Sequence, residues 1–213
     1  MVFRKEVIAA DVRVALDENP VNEALLDEGD EQTLCNEDIV SSKIEEGARK
    51  VLLLAPVYML EQGHPLPSEV YWDVRGSGHV MLPDDFLRLQ VFKMSDWVRA
   101  VYGAISIEDA AYIRQSSRWK GLRGNRERPV CAIGIRPEGK VLEFYSCGSE
   151  KATVAMGMYV PRPTFDSEGG IDLPERCYRA VVYMICSLVA AVYGEAERSA
   201  MFEKLCGSEI GRN

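Results

Sequence analysis

Two histidines, a pair of adjacent aspartates, six cysteines and a run of arginines are the places where this chain could hold chemistry. A histidine works as a base or a ligand only when a second group is positioned beside it. His64 stands in the Gly-Pro loop "QGHPLP", and His79 follows a glycine in "GSGHVML". Neither has a partner at catalytic or metal-ligand spacing, so both are expected to be solvated loop or strand residues. Asp84 and Asp85, in "MLPDDF", could bind a hard cation or share a proton. Adjacent residues of an extended segment face opposite ways, however, which separates the two carboxylates. An aspartate after Pro83 is expected instead to form an Asx-type turn and cap its own backbone. A small hydrolase made from His64, His79 and Asp84 would need all three to converge in one pocket.

The remaining motifs are fragments. Gly76, Ser77 and Gly78 begin a phosphate-loop pattern but lack the third glycine, the lysine and the following helix, so a tight turn is expected. Cys35, Cys131, Cys147, Cys177, Cys186 and Cys206 form no C-x-x-C pair, and several sit in apolar runs. Such residues are expected to be buried free thiols in a reducing compartment, with no disulfide framework and no structural zinc. There is no G-x-S-x-G elbow and no histidine at a local nucleophile spacing from a cysteine. No catalytic residue, cofactor, metal ligand or small-molecule substrate is expected, and the chain is read as a non-enzyme.

Charge is the most informative property. The net charge of −8 argues against wholesale coating of nucleic acid but leaves room for a local patch. Residues 17 to 46 carry eleven acidic side chains and one basic one, Lys43. Residues 114 to 128 carry Arg114, Arg118, Lys120, Arg123, Arg126 and Arg128 against Glu127 alone, with Trp119 among them. Three readings of this loop stay open. It can be ordinary solvated surface, a docking loop that meets an acidic face of another protein or another copy, or a phosphate-binding loop with Trp119 as a stacking platform.

The elements that must position these residues follow from periodicity. With 213 residues and 47% hydrophobic content, one domain or one domain with an inserted subdomain is the natural expectation. No apolar run reaches the roughly 18 residues needed to span a bilayer, and charges interrupt the start where a signal peptide would be apolar. Residues 5 to 63 read as helical, with a longer helix capped by Asn36 and kinked by Pro56. Residues 70 to about 163 read as strand. "GHVML" and "FLRLQVFKM" flank the Pro-Asp-Asp corner, and three further runs separated by "PEG" and "CGSE" suggest an antiparallel meander. "SIEDAAYIRQSSRWKG" interrupts them as a short helix. Asp172 and Glu175 have capping-box spacing before an all-round apolar helix that Gly194 stops, and a final short helix follows. The fold class expected is α+β: helices from 1–69 and 166–213 pack as a bundle, with 70–165 as an inserted antiparallel β subdomain carrying a short helix and the basic loop.

The order of N-terminal helices, turn, "MLPDDFLRLQVF", strand-rich insertion and C-terminal apolar helix resembles the head-to-tail adaptor proteins of short-tailed bacteriophages, called tail tubular protein A or gatekeeper-adaptor proteins. In that family an "LP.DFLRL" phrase leads from a turn into a strand, and Leu82, Pro83, Asp85, Phe86, Leu87, Arg88 and Leu89 match it. "SSRWKGLRGNRERPVCAI", "LEFYSC" and "ERCYRAVVYMICSLVAAVYG" look like the neck ring proteins of crAss-like phages of gut Bacteroidota. The resemblance implies a virion protein of the head-tail connector, made in the cytoplasm of a host bacterium and free of membrane. It also implies a homo-oligomer, usually a ring of twelve. Such a ring would contact the portal and other neck or tail proteins, with DNA passing through its channel.

Overall fold

A computed structural model describes residues 1–17, 31–73, 76–115, 117, 119, 122–145 and 147–211, and side chains at 17 and 31–37 are left aside. In chain order the first elements are β1 (Val2–Arg4), α1 (Lys5–Asp17) and α2 (Glu31–Leu54). Short strands β2 (His64–Pro65) and β3 (Tyr71–Trp72) lead to β4 (Gly78–Met81), β5 (Phe86–Met94), β6 (Ile105–Ser106) and α3 (Ala110–Gln115). The chain continues through β7 (Cys131–Arg136), β8 (Gly139–Phe144), β9 (Val154–Pro161), β10 (Gly170–Asp172), α4 (Tyr178–Val192) and α5 (Ala196–Glu209). The fold is α+β. It divides into a helical unit of Met1–Glu61 with Pro163–Asn213, and a β-rich unit of Gln62–Arg162. The β-rich unit begins at Gln62, not residue 70, because β2 already pairs with β9 at His64 and Pro65.

In the helical unit α4 contacts α1, α2 and α5. Its centrality follows from composition: Ala180, Val181, Met184, Ile185, Cys186 and Val189 are all buried, so little of the helix is left for water. Ile8 and Val12 of α1, Ile44, Ala48 and Val51 of α2, and Phe202 of α5 are also buried. Each of these valine, isoleucine and phenylalanine side chains contributes about 1.5–3 kcal/mol through burial. Gly47 lets α2 come close to α4, since a Cβ there would lie 2.7 Å from Ile185 Cγ1. Gly194 ends α4 with a φ of 76°, which a side chain would strain.

Three expectations about this unit are corrected. Helix α2 starts at Glu31, so Asn36 lies within it and is not its cap. It stops at Leu54, before the proline that was expected to kink it, and Pro56 opens a separate 3-10 turn at Val57–Met59. A proline cannot continue the hydrogen-bond ladder and pushes the preceding residue out of helical geometry. The capping box does not form either. Asp172 is drawn into β10, which pairs with β1, and its carboxylate accepts from the Met1 ammonium at 2.8 Å. The Glu175 N–H goes instead to the Glu61 carboxylate at 3.2 Å.

The β-rich unit holds two sheets, ordered β2-β9-β5 and β3-β4-β8-β7-β6. The "PEG" turn makes the antiparallel β7–β8 hairpin as expected, but β9 leaves β8 and pairs with β5, so the three runs are not a meander. The sheet is not wholly antiparallel, because β6 runs parallel to β7. The Pro-Asp-Asp corner explains the split: it hands the chain from β4, beside β8, to β5, beside β9. Its turn is closed by the Phe86 N–H on the Pro83 carbonyl at 3.0 Å. Between the strands Phe92, Trp97 and Phe144 pack with ring centroids 5.8–6.2 Å apart, and Trp72 meets Phe144 edge-on at 5.5 Å.

Candidate interaction surface

The run 114–128 grows from the end of α3 and is fastened at its base by two side-chain amides and one arginine. Gln115 is buried; its amide nitrogen donates to the Ala111 carbonyl at 3.1 Å, and its oxygen accepts from Gly124 N–H at 2.8 Å. Asn125 accepts from the N–H groups of Glu127 and Arg128 at 3.0 and 2.8 Å, an Asx-type turn. Arg126 donates to the Asp96 carbonyl at 2.8 Å, and the Val98 N–H returns to the Arg126 carbonyl at 2.9 Å. The base of the loop is thus tied to the segment following β5.

The loop surface joins apolar bulk to positive charge. Trp119 is 76% exposed and Ile113 73%, and Leu122 is also exposed. Arg114 and Arg128 are exposed and Arg123 half-buried. Val98 and Tyr102, in the segment that anchors the loop, are exposed as well. Arg118 and Lys120 lie outside the described residues. Arg126 differs from Arg114, Arg123 and Arg128, because its guanidinium is bound to the Asp96 carbonyl and ties the loop to the segment following β5. The apolar partners Ile113 and Leu122 and the anchors Gln115, Asn125 and Asp96 were missed by sequence reasoning. Only the interleaving of Ile113, Trp119 and Leu122 with arginines could have signalled the first two.

The histidines and aspartates do not converge. His64 sits exposed on β2 with its ring edge-on to Tyr159 at 5.8 Å. Asp85 accepts from the Tyr159 hydroxyl at 2.8 Å, so its carboxylate holds β9. His79 belongs to the other sheet, and its carboxylate neighbour is Asp73, with Nδ1 3.5 Å from Oδ2. Gly76, at φ 74°, makes the expected turn beside it, where a Cβ would collide with the Cys147 carbonyl at 2.2 Å.

Around His79 lies a polar cluster that the sequence did not reveal. Tyr71 and His79 oppose each other across β3 and β4, and His79 and Glu143 across β4 and β8. Directly opposed residues share one face, so the three side chains form a row. Arg136 donates to both oxygens of Asp73 at 3.1 and 2.8 Å and to Glu143 at 3.1 Å. The other Glu143 oxygen accepts from Tyr112 at 3.1 Å and Tyr145 at 2.6 Å. Hydrogen bonding from Arg136 holds the Asp73 carboxyl below its ordinary range. Burial, then the bond to Glu143, raises the Tyr145 phenol far above its usual range. With its carboxylates engaged by a cation and two protonated phenols, the cluster serves as an internal brace for the sheet and α3.

The described cysteines 131, 147, 177, 186 and 206 are buried, and no disulfide joins them. Burial pushes the Cys186 and Cys147 thiols up to about 12, which leaves almost no thiolate near neutrality. Among the described residues no group of three or more His, Cys, Asp or Glu side chains could hold a metal ion, and no helix is long and apolar enough to cross a membrane. No protein-family model matches the chain, and no curated protein is similar to it.

Proposed function

We propose that this chain is a structural subunit of a ring in the head-to-tail connector of a short-tailed phage, lying below the portal and giving the tail a docking platform and DNA a conduit. The observation that carries the reading is the loop at 114–128: a base fixed by Gln115, Asn125 and Arg126 presents Trp119, Leu122 and several arginines outward. A protein surface that places a large aromatic beside arginines on an ordered support has the makings of an interaction hot spot. Closed symmetry then turns individually modest contacts into a stable assembly. The "LPDDFLRL" resemblance supplies the particular assembly.

The experiment is an immunoblot of this chain across a density gradient of phage lysate. Co-sedimentation with DNA-filled particles, at a copy number close to that of the portal, is the expected result. A chain confined to the soluble fraction, with particles plentiful, rejects the reading. Joint reversal of Arg114, Arg123 and Arg128 to Glu is expected to abolish incorporation while the purified variant stays folded. Arg126 is left intact there because of its bond to Asp96.

The exposure of Trp119 among arginines also favours a second reading, a nucleic-acid-binding protein that stacks bases on this ring. Phosphate contacts would make such binding fall steeply as salt rises, and the absence of DNA binding at low salt removes it.

A further inference from the structure

Each compact unit concentrates its charge imbalance in one segment. Residues 62–162 hold fourteen Lys and Arg against eleven Asp and Glu, a net of +3, whereas the helical unit holds eleven against twenty-two, a net of −11. Residues 114–128 account for six of those bases and one of those acids, and residues 17–38 for nine of the helical unit's acids and none of its bases. Outside the two segments eight bases stand against ten acids in the β-rich unit and eleven against thirteen in the helical unit, so both remainders are close to neutral. Apolar residues are set among the charges of each segment. Ile113, Trp119 and Leu122 are exposed beside the exposed Arg114 and Arg128. Residues 17–31, which join α1 to α2, read "DENPVNEALLDEGDE" and place Val21, Leu25 and Leu26 among seven carboxylates. With no Lys or Arg in that stretch, its carboxylates repel one another and none is neutralised by a neighbour in sequence.

We infer that the acidic stretch at 17–31 of one copy docks on the basic loop of a second copy, its carboxylates facing Arg114, Arg123 and Arg128 and its valine and leucines covering Trp119 and Leu122. Charge and apolar pattern select this occupant together. A bare polyanion such as a nucleic-acid backbone answers the arginines but not Ile113 and Leu122, whereas this stretch carries partners for both. Every chain supplies the two halves, and they differ from one another, so the contact is heterologous and propagates from copy to copy. Opposite local charges speed the encounter and set its orientation, and the aromatic ring gives the contact its apolar centre. This inference rests on the assembly reading and names the partner of its docking loop.

The test mixes two charge-reversed full chains and reads self-association by sedimentation equilibrium at low salt, up to millimolar concentration, where a weak contact is populated and little screened. One variant carries Asp27→Lys, Glu28→Lys and Asp30→Lys, three changes of two charges each that bring the net charge from −8 to −2. The other carries Arg114→Glu, Arg123→Glu and Arg128→Glu, which bring it to −14. Wild type is expected to associate, and each variant alone to associate about tenfold more weakly, because like charge then meets like charge at the contact. Their equimolar mixture is expected to recover association, since each variant's acidic or reversed stretch now matches the other's loop. General charge repulsion ranks the first variant the other way, because it is nearer neutral than wild type and would associate more strongly. Salt gives a second reading on the unaltered chain, whose association is expected to fall as ionic strength rises. A wild type that stays monomeric or associates without regard to salt overturns the inference. So does a first variant that associates as well as wild type, or a mixture of folded variants no better than its parts. The gradient experiment is independent: incorporation of wild type without this pairing rejects only this contact, and pairing by a chain absent from particles rejects only the connector reading.

Discussion

Arg136 and Arg123 belong to the same compact unit, yet their surroundings differ in kind. Arg136 is three-quarters buried, grips both oxygens of Asp73 and also reaches Glu143, which two phenols hold from the other side. Arg123 stands on a loop whose main chain is already secured by the neutral amides of Gln115 and Asn125. The sheet thus uses its charge internally, where every partner left alone in a partly desolvated site is costly. Beside it the loop keeps Arg114 and Arg128 exposed, where an arginine adds little to stability. On the proposed reading, folding and contact are carried by separate residues of one unit, and substitutions should remove either without the other.

The largest effect is expected at the brace. Glu143→Ala leaves the Tyr112 and Tyr145 hydroxyls and one side of Arg136 without their acceptor. A loss of about 3 kcal/mol is expected, read as a lower urea midpoint with an unchanged slope. If the midpoint stays within error of wild type, the cluster is not a brace, and the contrast with the loop collapses.

A smaller, pH-dependent effect isolates the same cluster. Hydrogen bonding from Arg136 holds the Asp73 carboxyl below the ordinary aspartate range. Because the folded value lies below the unfolded one, the stabilisation is complete above the unfolded pKa and is lost as pH falls through the folded pKa. Urea midpoints of the wild type should therefore drop in acid more than those of Arg136→Gln, in which Asp73 loses the cause of its shift. Parallel acid limbs would show that the pair contributes nothing through proton linkage.

How much of this was legible in the sequence depends on whether a residue's role is local. The all-round apolar character of α4 foretold its central place, and Gly194 its end, since both are properties of consecutive residues. The Pro83 turn was legible for the same reason. Strand partners were not: alternation marks β9 as a strand but says nothing about whether β5 or β8 will accept it. The brace was hidden because Asp73 and Tyr112 lie far along the chain from the β7–β8 hairpin that carries Arg136 and Glu143, and they meet it only through the fold. The basic composition of 114–128 was plain, yet Arg126 and Arg123 look alike in sequence. Only the bond to Asp96 marks Arg126 as an anchor.

The smallest effect on folding is expected where the effect on contact is greatest. Trp119→Ala removes a side chain that is 76% exposed, so little buried area is lost and stability should move by less than about 0.5 kcal/mol. If Trp119 anchors a partner, the same change is expected to weaken that contact by about 2 kcal/mol or more, the range of an aromatic hot spot. Incorporation into particles, measured against an internal portal standard, reads that loss directly. The two measurements together separate the brace from the loop. A Trp119→Ala chain that incorporates normally would make the aromatic ring ordinary surface. A strongly destabilised one would place Trp119 with Glu143 among the residues that hold the unit together, and would transfer the search for a docking surface to Ile113 and Leu122 on either side of it.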